Sequence, residues 1–172
     1  LLFAIYHWIL LSGTWVLGGF IGMTNFIQKF LLKTWISMMD HLGRRRIIMD
    51  REGDEPYLER YYLFLPDRDE NFPFNIFIHK FLKGDSDNLH DHPWGFFTLI
   101  LSGGYWEHVY TDEAKSKTKR VWRAPGYWQK VEAEHIHRIE LKEGNTLCWT
   151  LFIPFKRERV WGFWKPYVDL VE

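Results

Sequence analysis

The chain has 172 residues, enough for one domain with an appended segment, and its 22 Lys and Arg balance its 22 Asp and Glu. A formal charge of zero excludes both the global basic field that favours nucleic acid and the acidic field of a solvating tail. Aromatic residues make up 19% of the chain, enough for a core or an aromatic-lined cavity, and a single cysteine, Cys148, excludes an intrachain disulfide and fits a reducing compartment.

From Leu1 to Gln28 there is no formally charged residue, and the run LLFAIYHWILLSGTWVLGGFIG (1–22) is long enough to cross a bilayer. Lys29, Lys33 and Arg44 to Arg46 follow, which by the positive-inside rule places the downstream residues in the cytoplasm, anchored through the N-terminus. Two other readings compete: a start at Met23, with the preceding residues an upstream artefact, and a helix packed on the domain. Phe26, Ile27, Phe30, Leu31, Ile36, Met38, Met39 and Leu42 recur at three- and four-residue steps, predicting a helix over 24–42 stopped by Gly43. Residues 1–46 therefore read as an N-terminal hydrophobic and amphipathic segment, and residues 47–172 as a β domain.

After the linker DREGDEP (50–56), short strands are predicted at 57–65, 74–82, 96–101, 105–110, 119–124, 127–133, 137–141, 147–155 and 159–164. Turn chemistry separates them: PDRDENFP, GDSDN, a Gly103-Gly104 pair that suits a tight hairpin, a solvated loop TDEAKSKTK (111–119) and KEGN. Many short strands with no intervening helix predict an all-β sandwich or barrel.

His90 and His92 in LHDHPW stand one residue apart, as do His135 and His137 in EHIHRIEL. Residues two apart on a strand share a face, so such a pair can converge on one ion, and imidazole suits a borderline metal such as iron, zinc, manganese or nickel. One His-x-His is a weak signal; two such pairs are hard to credit to packing alone.

The spacing resembles the cupin superfamily. Gly84, five residues, His90 and His92, then Gly104 follow its first motif, with Phe97 where the motif has Glu; Gly126 and His137 follow the second, with Glu132 and Glu134 in place of Pro and Gly, and Leu141 in place of Asn. The resemblance covers about residues 57–164. The phrases LHDHPWGFFTLILSGGYWE and RVWGFW are also similar to a group of small cupin-like proteins of bacteria and phages. This likeness implies a cupin-type double-stranded β-helix (a jelly-roll barrel) with an N-terminal helical segment. It also implies a divalent metal, iron first, held by His90, His92 and His137. A three-histidine iron centre resembles that of the thiol dioxygenases, and points to a non-haem oxygenase acting on a small organic molecule. A non-catalytic small-molecule-binding or structural cupin is the second reading, and a sugar isomerase or epimerase the third.

Around this trio, Glu107 is either a fourth ligand, a residue behind the ligands, or an outer-face residue beside His108, the last being the preferred reading. His135 is expected to point opposite to His137 or to sit behind the ligands. His79 shares a face with Phe77 and Phe81 and is a cavity-lining candidate, as is Trp94 next to the first pair. Arg60 is a candidate for an anionic substrate, with Tyr61, Arg123 and Arg138 weaker ones, Arg138 being expected to pair at the surface. Cys148 reads as a buried small hydrophobe. The partner set is a small-molecule substrate, no nucleic acid, a membrane through the N-terminal segment, and a second copy of the chain in a homodimer.

Overall fold

The computed structural model describes residues 20–50, 54–69, 71–85, 89–112, 117–144 and 147–164. The chain divides into two compact units, Leu1–Arg45 and Arg46–Glu172. In the first, helix α1 runs Phe20–His41. It ends where Gly43 takes φ +64°, with the amides of Gly43 and Arg44 bonded back to the carbonyls of Asp40 and Met39, the usual way a left-handed residue closes a last turn. Residues 1–19, which carry most of the expected bilayer-spanning run, lie outside the described residues. So do 51–53 of the linker, 86–88 of the acidic turn and 113–116 of the solvated loop. Among the described residues no helix is long and apolar enough to cross a membrane.

Arg46 onward is built of strands, the first starting one residue earlier: β1 Arg45–Met49, β2 Pro56–Tyr62, β3 Phe77–Phe81, β4 Leu89–His90, β5 Trp94–Ser102, β6 Tyr105–Tyr110, β7 Thr118–Arg123, β8 Trp128–Val131, β9 His137–Leu141, β10 Cys148–Arg157 and β11 Phe163–Trp164. Two antiparallel sheets result, ordered β1-β2-β3-β10-β5-β8 and β11-β4-β9-β6-β7. From β3 onward the chain crosses between sheets at nearly every step, only β6 and β7 following each other in one sheet. That alternation makes the fold the cupin-type jelly roll.

Alternation along each strand decides what faces inward. On β6, Tyr105, Glu107 and Val109 are buried while Trp106, His108 and Tyr110 face out; on β5, Phe96, Thr98 and Ile100 are buried. Leu58, Phe81, Ile100, Tyr105, Ile139 and Cys148 pack as a core between the sheets. Burying large apolar side chains of this kind contributes roughly 1.5–3 kcal/mol each.

The Gly103-Gly104 pair does not close a hairpin, contrary to the expectation from its sequence. β5 and β6 belong to different sheets, and the pair carries the chain across between them. Both glycines hold positive φ (+82° and +121°), but the decisive constraint is proximity. A Cβ on Gly103 would stand 2.2 Å from the Leu147 carbonyl oxygen, and one on Gly104 2.7 Å from the Trp122 ring. The strand pairs that do follow each other within one sheet are β1–β2, β2–β3 and β6–β7.

Candidate metal centre

Neighbouring strands of one sheet bring the histidines together. His90 on β4 stands opposite His137 on β9, and His92 follows two residues after His90 as the chain leaves that strand. Pro93, next to His92, disfavours helix there and keeps the segment extended. The three ring centroids form a near-equilateral triangle with sides of 5.1, 5.1 and 5.3 Å. One nitrogen from each ring lies within 4.8 Å of the others, and Nε2 of His92 is 2.9 Å from Nε2 of His137. Two nitrogens each about 2.05 Å from one ion and at a right angle would be about 2.9 Å apart, so that pair fits adjacent ligand positions.

Glu107 is wholly buried rather than on the outer face. It pairs with Ile139 across β6–β9, which makes it a diagonal neighbour of His137 on the inner face. Its Oε1 lies 2.8 Å from Nδ1 of His137 and 3.3 Å from Nε2 of His135, and accepts a bond from Gln129 Nε2 at 3.1 Å. Arg123 Nε donates to Oε2 at 2.7 Å. Burial pushes the Glu107 carboxyl up, but the hydrogen bonds from His135 and His137, the charge of His137 and the Arg123 bond outweigh it and hold the group well below the usual carboxylate range. An ionised carboxylate only accepts, so Nδ1 of His137 carries a proton toward it, and in the neutral ring that leaves the lone pair of Nε2 facing His92.

His135 does not point away from His137. It lies in the turn before β9, where strict alternation has not begun, and its ring centroid is 5.1 Å from that of His137, beside Glu107. Glu107, His135 and His137 thus form a second group that shares His137 with the first. His92 is held neutral, its pKa lowered first by burial and then by the neighbouring histidines, as ligation requires.

A cavity of about 150 Å3 lies before the trio, and Arg60, His79, Trp94, Phe96, Thr98 and Thr150 are among its walls. His79 stacks on Phe152 at 4.8 Å, and its Nε2 accepts a bond from Arg60 Nε at 3.0 Å; burial, then the Arg60 charge, lowers its pKa well. Phe97, at the motif's Glu position, stacks outward on Trp128, while its neighbour Phe96 presses its ring against His92 at 4.8 Å. The inner wall of β5 therefore offers no carboxylate to an ion.

The remaining candidates lie elsewhere. Tyr61 is buried, bonded to Glu59 and stacked on Trp149. Arg138 bonds His108 at 3.1 Å on the outer face of β9 and β6. Cys148 is fully buried, and burial pushes its thiol up to about 11, leaving it unreactive.

Residues not singled out from the sequence complete the site. Asp85 accepts from the Ile139 amide at 2.5 Å and from the Tyr57 hydroxyl, and its carboxylate is 3.9 Å from Nδ1 of His90. Asp91 points away from the histidines on either side of it and is 1% exposed; it accepts from the Gly162 amide at 2.6 Å and pairs with Arg159 at 3.1 Å. Those contacts hold the segment that lays Trp161 over His92 and His90, at 5.0 and 5.7 Å. An outer cleft of about 600 Å3, bordered by Tyr57, Asp85, His90, Trp161 and Phe163, adjoins the inner cavity. For Asp91 the available signal was its place between the two histidines.

No family model matches the chain, and no curated protein does. Among solved structures, it is similar to hydroxypropylphosphonic acid epoxidase from S. wedmorenis at 17% identity and a TM-score of 0.46, over 64% of this chain and 55% of that one. A putative mannose-6-phosphate isomerase from Ralstonia eutropha JMP134 is similar at 16% identity and a TM-score of 0.47, over 59% and 87%. A variant of oxalate decarboxylase from Bacillus subtilis is similar at 14% identity and a TM-score of 0.48, over 68% and 29%. The chain spans little more than half the length of the epoxidase. Values this low add nothing to the strand order, on which the cupin-type jelly roll stands.

Proposed function

We propose that His90, His92 and His137 hold a divalent transition-metal ion, iron first among the candidates, and that the domain is an oxygenase-type enzyme acting on a small organic substrate. The observation that carries this reading is the 2.9 Å approach of two Nε2 atoms while Nδ1 of one ring is tied to a buried carboxylate. That is the carboxylate–histidine arrangement that orients metal ligands and makes them more basic. Nitrogen-only donors suit iron, zinc, nickel or copper better than magnesium or calcium. When bound, such an ion supplies a Lewis-acid and redox centre with open positions for substrate.

The protein's own residues do the rest. Glu107 fixes the tautomer of His137; Phe96, Phe152 and Trp161 exclude water from the histidines; Arg60 and His79 present polar groups to the opposite side of a small cavity. A substrate matched to this space is small, and an anionic one would complement three neutral imidazoles around a dication. The likeness to small HDHPW-bearing cupin-like proteins of bacteria and phages is consistent with this reading and names no substrate.

Elemental analysis after anaerobic Fe(II) loading tests it. About one iron per chain is expected in the wild type and a large loss in His92→Ala. A second reading rests on the same distance: 2.9 Å also suits an N–H···N hydrogen bond between neutral rings, which would leave a metal-free binding module. Wild-type protein without iron, and ligand-induced thermal shifts indifferent to chelator, would favour that reading and contradict ours.

A further inference from the structure

Arg60 and Trp94 each line two spaces at once: the histidine cavity and a second hollow of about 310 Å3. Around the second hollow stand Arg46, Arg60, Arg68 and Arg157, with Asp67 as the one acidic wall residue among the described residues. Asp67 does little to neutralise them: its carboxylate is 96% exposed and 3.9 Å from Arg46. Among the described residues, neither Arg60 nor Arg68 has a carboxylate within 4.0 Å. Arg60 and Arg68 thus bring two guanidiniums to one hollow with no carboxylate beside them, an arrangement that an anion completes.

The arginines are also held in place. Their faces rest on rings: Arg46 on Tyr62 at 5.3 Å, Arg60 on Phe77 at 4.7 Å and Arg68 near Trp94 at 5.9 Å. Arg68 Nη1 donates to the carbonyls of Pro154 and Phe155, both at 3.2 Å, and among the described residues its Nε and Nη2 have no hydrogen-bond acceptor. Stacking occupies the faces of a guanidinium and leaves its edge donors, the ones that fork onto oxyanions, for a ligand. Trp94 adds a buried Nε1–H with no acceptor, on the wall common to both spaces. A buried donor left unpaired in a folded protein needs a reason, and a ligand oxygen supplies one.

We propose that the arginine hollow binds the dianionic oxyanion end, of the phosphate type, of a small organic substrate whose other end enters the histidine cavity. Two guanidiniums without a carboxylate in reach, a third beside an exposed one, and the Trp94 Nε1–H favour a dianion over a single carboxylate. The inner cavity of about 150 Å3 admits a fragment of roughly five water-sized groups. Only the placement of the second end rests on the metal-centre reading; the anion site stands on the arginines.

The test is isothermal titration of inorganic phosphate into chelator-stripped protein at low ionic strength. Wild type is expected to bind one phosphate without metal. Arg68→Gln and, at the exposed rim, Arg46→Gln are each expected to weaken binding about tenfold. Arg120→Gln, on the other sheet where Arg120 pairs with Glu140, should leave it unchanged. Absence of phosphate binding in wild type, or equal binding by the rim variants, overturns the proposal. Iron loading of the same proteins separates the two readings: a protein that takes iron but ignores phosphate refutes the anion site alone, and the converse refutes the metal centre alone.

Discussion

Glu107 shows how much one side chain can set. A fully buried carboxylate accepting from Arg123, Gln129 and His137 is already satisfied by the protein, which argues for its acting through His137 rather than on an ion itself. Glu107→Gln keeps the shape but lets either group turn toward His137, so the tautomer is no longer imposed. Iron affinity should fall about 10- to 100-fold with the fold intact, as measured by competition with a chelator. Unchanged affinity would place Glu107 in a purely structural role. At the same scale, His79 has a pKa below its ordinary value because of burial and then Arg60. The unfolded chain therefore takes up a proton below about pH 6.5 that the folded chain refuses, and stability falls as pH falls through that point. His79→Phe should flatten the decline in urea midpoint below about pH 6.5; an identical slope would show that His79 does not carry it. The pair His90 and His92 was legible because residues two apart in an extended segment share a side; of the second pair only His137 lies on a strand. The role of Glu107 was not, since the sequence 105–110 does not say which face of an alternating strand is inside when Tyr, Glu and Val compete with Trp, His and Tyr.

Among the elements, the segment after β10 matters beyond its length. Asp91 ties it down through the Gly162 amide, and a Cβ on Gly162 would come within 2.7 Å of that carboxylate. Gly162→Ala must displace either the aspartate or the strap that carries Trp161 over the histidines. A loss of about 1–3 kcal/mol in chemical denaturation is expected, together with faster iron release to a chelator. A variant as stable as wild type would mean that the strap relaxes freely. Strands 105–110 and 137–141 were legible to the residue, because bulky alternating runs bounded by turns leave little choice of where they begin and end. The crossover at Gly103-Gly104 was not: a positive φ serves a hairpin and a passage between sheets equally, and only the proximity of the Leu147 carbonyl tells them apart. The two-residue strands β4 and β11 carry too few residues for any periodicity to appear in the sequence.

Over the whole domain, two sheets enclose a small inner cavity with histidines on one side and Arg60, His79 and Trp94 on its other walls, and wider spaces adjoin it. The class of the fold could be read from many short strands without helices between them, but the pairing of those strands depends on contacts far apart in the chain that no local pattern encodes. The central claim is that three imidazoles share one ion, and X-ray absorption at the iron edge of anaerobically loaded protein addresses it most directly. The account predicts a first shell containing three imidazole nitrogens near ~2.1 Å, reduced in His137→Ala. A shell of oxygens alone, or a spectrum unchanged by that substitution, would contradict it.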